Sequence, residues 1–393
     1  MFTFTRNPST KVSVTIEASG LVKADNAVIL VGRMAASGST AIENVPLQIE
    51  NFGDEVAAQA ECDAEFGAGA ELTKMVVAAI KANKFSGDQN VVYPPIVVIP
   101  QTSVRTSANL AAAFAANIGI PMPFIGQPFA ITDATALSAL KNHVQAISAA
   151  DRGDNGQFGS FGVIGSMDNL SNSTTAGESA AYEGIMSPWL RDAGAAQTMA
   201  EINAAYAARC ASVGQPFLPL NGSKIGGLIA PASKSDWHTS GDAGSISLGL
   251  DSGLVPLFIA ADGSVMISRS ITTYRPISAS EATNYYDFQD WKVLYYYREN
   301  AYLTSKQPRY AIAKGTDKKL KALLSELIQL ALDFQTLEMF QKVEELTPQF
   351  SVDRPLDNRF AGEYNIPVNV VPGFMNKGIG VVGTTQFDSF NIA

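Results

Sequence analysis

Between residues 27 and 271, short apolar runs alternate with helical stretches, and that alternation limits the possible folds more than any other feature of the chain. Ala27 to Val31, Ile96 to Ile99 and Phe161 to Ile164 are brief, β-branched and aromatic, as buried strands are. Between them, Val56 to Lys81 has alanine-rich helical periodicity broken by Gly67 and Gly69. A second helix starts at Thr132-Asp133 and runs to about Ala150, and a third spans Met199 to Ser212. Strand and helix in alternation imply an α/β layer with a partly parallel sheet. Residues 165 to 180 drift to Ser, Asn, Thr and Gly, a composition that predicts an exposed loop. Val255 to Ala260 and Ser264 to Ile271 flank Ala261-Asp262-Gly263, and an Asp-Gly step between apolar runs predicts a hairpin.

The two ends of the chain read differently from this middle. Val12, Val14 and Ile16 alternate with Lys11, Ser13, Thr15 and Glu17, which is strand periodicity with no partner strand close in sequence. Its backbone groups must pair with something distant, either an edge of the chain's own sheet or a neighbouring molecule. Asp287 to Arg309 is rich in Trp and Tyr; Thr316 then caps an amphipathic helix predicted through about Lys342. Leu320, Leu323, Leu324, Leu327, Ile328, Ala331, Phe334 and Leu337 supply its apolar face. After Pro348 the chain reads as extended through Ile366, Val368 and Val370. The expected architecture is therefore α/β: a mixed sheet with flanking helices, a long C-terminal helix over 316–342, and extended strand arms at both ends. The corresponding division is an N-terminal arm over 1–20, a body over 21–345 and a C-terminal arm over 346–393.

Composition narrows the function classes. Charged residues make up 17% of the 393, 46% are hydrophobic, and the net charge is −9. Nucleic-acid binding needs clustered Lys and Arg, so it is disfavoured. The scarcity of charge fits either a large core or a surface covered by other copies. It is uneven, with 18 charged residues among the 160 from 101 to 260 and 47 among the other 233. No run of eighteen apolar residues suggests membrane insertion, and Met1 to Lys11 lacks the apolar core of a secretory signal. Cys62 and Cys210 stand far apart, outside any redox or metal spacing.

The sequence carries no catalytic motif above background. Histidine is limited to His143, placed within a helix, and His238, placed in a loop where it could serve as a base. There is no G-x-S-x-G elbow, no P-loop and no G-x-G-x-x-G between strand and helix. Asp151 with Asp154 reads as an acidic loop and Glu344 with Glu345 as a helix end, so neither a metal site nor a cofactor is expected. An α/β serine hydrolase using His238 and a loop serine is the alternative from the enzyme class. One charge cluster stands out: Lys314, Lys318, Lys319 and Lys321 crowd the start of the long helix, where positive charge opposes the helix dipole. They form either a solvated face or a docking patch for an acidic partner.

The order of these parts resembles the tail sheath proteins of contractile-tailed bacteriophages, especially the shorter, Mu-like sheaths. The run Arg269-Ser270-Ile271-Thr272-Thr273-Tyr274 after the Asp-Gly hairpin carries the resemblance most specifically. Gly227 to Ser233, Asp287 to Trp291 and Asn358-Arg359-Phe360 fit the same family. The resemblance implies a structural, non-enzymatic subunit that needs no nucleotide. It would polymerise as stacked rings or a six-start helix around a tail tube protein, next to baseplate and tail terminator proteins. Contraction would then drive the tube through the host envelope. The expected location is the virion tail, assembled in the host cytoplasm, with no nucleic acid or membrane as partner. It also implies that Val12, Val14 and Ile16 lie in an N-terminal arm strand and Ile366, Val368 and Val370 in a C-terminal one. Lys318, Lys319 and Lys321 would face the tube.

Overall fold

The computed structural model describes residues 26–84, 93–102, 106–148, 159–191, 197–213, 216, 218–230, 242–275, 286–311, 316–353 and 363–371. The strands are β1 Val28–Arg33, β2 Leu47–Ile49, β3 Ile96–Gln101, β4 Phe124–Gly126, β5 Phe161–Val163, β6 Ile185–Trp189, β7 Leu254–Ile259 and β8 Val265–Ile267. They form one sheet in the order β2-β3-β1-β4-β5-β6-β7-β8. The six inner strands run parallel, while β2 and β8 pair antiparallel at the edges. The expected α/β class and mixed sheet are what the chain adopts.

Because successive side chains alternate across a strand, the sheet sorts its apolar residues into two layers. Val28, Leu30, Val98, Phe124, Phe161 and Met186 face the helices α1 Glu55–Phe66, α2 Glu71–Lys84 and α6 Met199–Ala211. Ile29, Val31, Ile99, Ile125 and Ile185 face the opposite layer, containing α3 Ser107–Ala116, α4 Ala134–Ser148 and α5 Leu170–Ala180. A further helix, α7 Asp242–Asp251, packs on β7 beside α5. The α1/α2 break falls at the expected glycines, and Asp133 Oδ1 accepts from Thr135 N and Ala136 N to start α4. The hairpin joins β7 to β8 through Gly263 at φ +81°, a conformation that glycine adopts without strain.

Two expectations need correction. Residues 170–180 are a helix, not a loop. Asn169 caps α5 by accepting from Asn172 N, and its hydroxyls turn back onto backbone carbonyls: Thr174 and Thr175 donate to Ser171 O, and Ser179 donates to Ala176 O. Gly177 lets α5 approach the start of β7 closely, since a Cβ there would lie 2.4 Å from Ser252 O. Tertiary packing thus overrides a loop-like composition. The long helix also stops early. It spans Asp317–Thr336 (α9) rather than reaching Lys342, because Glu338 takes a left-handed φ of 59° and Met339 N turns back to Phe334 O at 2.9 Å.

The aromatic segment forms helix α8 Phe288–Ser305, which packs against α9. Four short strands follow: β9 Phe340–Gln341, β10 Ser351–Asp353, β11 Glu363–Asn365 and β12 Asn369–Val370. They pair as β9 with β12 and β10 with β11. A separate apolar cluster holds this C-terminal unit together, with Val293, Tyr296, Tyr297, Leu330, Phe334 and Phe340 at its centre. Tyr297 stacks edge-on against Phe334, and its hydroxyl donates to Leu327 O at 2.9 Å.

Candidate assembly surfaces

In an open parallel sheet, a ligand crevice forms beyond the carboxyl ends of the strands. Here a buried amide network fills the space beyond β4 and β5. Asn203, fully buried on α6, donates from Nδ2 to Gln127 O at 2.8 Å and Phe129 O at 3.0 Å, and its Oδ1 accepts from Gly165 N at 2.8 Å. Gln127 donates from Nε2 to Phe129 O and Val163 O, while Phe129 N donates to its Oε1. Each group satisfies another, so no polar atom of this network is left facing an open crevice. His143 serves packing: it is buried, stacked on Phe114 at 4.3 Å between ring centroids, with Nε2 3.1 Å from Met122 Sδ. His238, Asp151 and Asp154 lie outside the described residues. Burial pushes the thiols of Cys62 and Cys210 up to about 12, far from nucleophilic thiolates. Among the described residues no group of three or more potential ligands could hold a metal ion, and no helix is long and apolar enough to cross a membrane.

The amino ends of β4 and β5 are covered by α8. Phe288 packs its ring against Phe124 and Phe161, which begin β4 and β5, at 6.0 and 4.9 Å between centroids. From the same helix, Lys292 Nζ donates to Val213 O at 3.0 Å and Cys210 O at 3.4 Å, where α6 ends. Arg298 Nη1 donates to Ser148 O at 2.7 Å, where α4 ends. A single helix thus meets the negative ends of one helix from each layer. Burial pushes the Lys292 ammonium down to about 8.

The Arg269 to Tyr274 run ties this joint together. Arg269 holds Asp287 through two hydrogen bonds, Nε to Oδ1 at 2.7 Å and Nη2 to Oδ2 at 2.8 Å. Ser270 accepts from Phe288 N through its carbonyl, and its hydroxyl lies 3.1 Å from Tyr206 OH. Thr273 N donates to Ile185 O, and its hydroxyl donates to Tyr182 O. The run is therefore a buried connector among α6, β6 and α8. Next to it, Asp290 is nearly inaccessible; burial and then the Asp287 charge push its carboxyl up to about 7, against the opposing pull of Arg269.

The candidate surface residues fall into three groups. Val12, Val14 and Ile16 lie outside the described residues. Ile366 and Val368 are half-buried and Val370 is buried, all against the C-terminal unit of their own chain; Val370 stands opposite Phe340 in the β9–β12 pair. Lys318, Lys319 and Lys321 are exposed on the first turns of α9, with Lys319 Nζ 3.4 Å from Arg309 O and 5.9 Å from the Tyr310 ring centroid. Sequence reading did not find Asn203 or Lys292. Their partners lie tens of residues away, and neither residue belongs to a local motif.

No protein-family model and no curated protein matches the chain. Solved structures do. The sheath tail protein of Listeria innocua superposes with a TM-score of 0.62 at 13% identity, covering 92% of this chain and 96% of that one. The fold is that of a sheath protein. A sheath tail protein of Desulfitobacterium hafniense gives 0.58 at 12% identity, over 94% and 99% of the two chains. The helical sheath of the anti-feeding prophage, in its contracted state, gives 0.58 at 11% identity over 93% and 95%. The sheath likeness thus runs through both the α/β body and the C-terminal unit.

Proposed function

We propose that this chain is the structural subunit of a contractile sheath, polymerising with its own copies around a tail tube and contracting to drive that tube through a host envelope. The observation that carries this reading is the near-complete mutual coverage with sheath proteins, one of them a helical sheath in the contracted state. Two physical features agree with it. Beyond β4 and β5, where an α/β enzyme can open a crevice, the space is filled by the chain's own amides. The body is joined to the C-terminal unit through α8, a helix with buried contacts to both, so the two can move as one rigid piece. Nothing among the described residues favours the hydrolase alternative.

In this reading the subunit belongs to a tail or injection particle, assembled in the host cytoplasm with tube, baseplate and terminator proteins. Residues 1–20, through Val12, Val14 and Ile16, form an arm strand lent to a neighbour, held by backbone pairing and an apolar face. Ile366, Val368 and Val370 anchor the C-terminal segment on its own unit, and the short strands there are the place where a neighbour's arm would add. Lys318, Lys319 and Lys321 face an acidic tube surface. Deleting residues 1–18 tests the arm directly: the expected product is a folded subunit that stays small in size-exclusion chromatography with light scattering. Polymers of normal size from the deletion would reject the arm's role.

A further inference from the structure

Four of the large apolar side chains that the body leaves in solvent gather on one surface. Ile42 and Val45, on the loop leading into β2, are 70% and 49% exposed; Ile118 and Ile120, just after α3, are 41% and 36% exposed. Buried Asn117 holds the two segments together, its Nδ2 donating to Asn44 O at 2.9 Å and to Ala113 O at 2.8 Å. Asn44 N in turn donates to Pro100 O at the end of β3. The outward side of α3 extends the patch through Ala108, Ala111, Ala112 and Ala115, all exposed. A solvated helix face ordinarily carries charge. Here the sequence from Gln89 to Thr132 holds one charged residue, Arg105. Among the described residues no strand pairs with the outer edge of β2, so the patch borders an open sheet edge.

Charge indicates what covers this surface. Copies of a chain with a net charge of −9 repel one another at a distance, so they pack best where carboxylates are few, and Glu43 is the one exposed carboxylate among the patch segments 42–45, 108–115 and 118–120. A strongly basic partner of another kind would find only Glu43 here to pair with, and an acidic one no described cation on these segments. We propose that the patch formed by Ile42, Val45, Ile118, Ile120 and the outer face of α3 is a contact between bodies of adjacent copies of this chain. A contact that joins this patch to a different surface of the next copy propagates into a ring or helix rather than closing a pair. The inference rests on the sheath reading, in which each body has neighbours of its own kind.

The test uses the full chain and follows assembly by sedimentation, comparing wild type with Ile118→Asp and Ile42→Asp. The expected result is at least a tenfold rise in the protein concentration needed to form sedimenting polymer, with the thermal midpoint of the dilute subunit unchanged. Variants that assemble at the wild-type concentration overturn the inference and leave the sheath reading intact. Wild type that never polymerises overturns the sheath reading, and the inference with it. Should an Asp variant fail to fold, Ala112→Cys gives an independent readout, because the native Cys62 and Cys210 are buried. The introduced thiol should react freely with a maleimide in dilute subunits and at least tenfold more slowly in polymer. Equal reaction in both states, or protection already in dilute subunits, would overturn the proposal; the latter would show that the chain covers the patch itself.

Discussion

The two ends of β4 and β5 are covered by different chemistry. At the carboxyl ends, neutral amides on Asn203 and Gln127 bond only to nearby backbone. At the amino ends, α8 brings two cations, Lys292 and Arg298, onto the carbonyls where α6 and α4 finish. The first closure fills the space beyond β4 and β5 with the chain's own amides. The second turns the base of the sheet into a joint with the C-terminal unit. The first set of bonds holds the body together, and the second fastens the body to the C-terminal unit.

The largest difference between the two ends is expected at Asn203. Asn203→Ala leaves Gly165 N and Gln127 O without their partner in a dry site, and each such loss costs about 1–3 kcal/mol. Urea unfolding should show about 3–5 kcal/mol less stability with an unchanged denaturant slope. A loss under about 1 kcal/mol would mean that this end is not a sealed core.

At the opposite end the expected effects depend on pH. The Asp290 carboxyl is pushed up to about 7, whereas an unfolded aspartate titrates near ~4. Between these values the folded state keeps a proton that the unfolded state releases, so wild-type stability falls as pH rises through this window. Asp290→Asn should therefore stabilise by about 1–3 kcal/mol at pH 8 and by little at pH 5. Parallel stability profiles for the two proteins would contradict the assignment. Lys292 has the opposite sign: its ammonium is pushed down to about 8, against about 10.4 when unfolded, so stability rises as pH climbs between those values. Lys292→Met should flatten that rise while changing stability at pH 7 by only about 1–2 kcal/mol, because lost bonds and relieved burial offset each other.

The smallest stability effect is expected at the exposed lysines. Reversing Lys318, Lys319 and Lys321 to Glu removes charge that opposes the α9 dipole, so the subunit should gain a few tenths of a kcal/mol. Co-assembly with the tube protein should nevertheless weaken, while polymers formed without tube remain. Unchanged tube decoration would reject the docking role.

Much of the architecture was legible in the sequence because it rests on local periodicity. Val28 to Val31 and Ile96 to Ile99 alternate between two helix layers, and the Asp262-Gly263 step makes the hairpin it predicts. The failures lie where distant contacts decide. Residues 170–180 become helical because Gly177 fits against the chain at Ser252. The 316–342 helix breaks at Glu338, where no glycine or proline marks the turn. Val370 pairs with Phe340 through a register that no local pattern encodes. The Arg269 to Tyr274 run could be recognised as a family feature, but its role as a connector shows only when Asp287, Tyr206 and Ile185 come together around it.

Whether this chain assembles with itself into a sheath is read most directly by negative-stain electron microscopy of the purified 393-residue chain. Self-assembly predicts hollow, regularly striated tubes or stacked rings at high protein concentration or in the presence of tube protein. A field of uniform small particles under both conditions would contradict it.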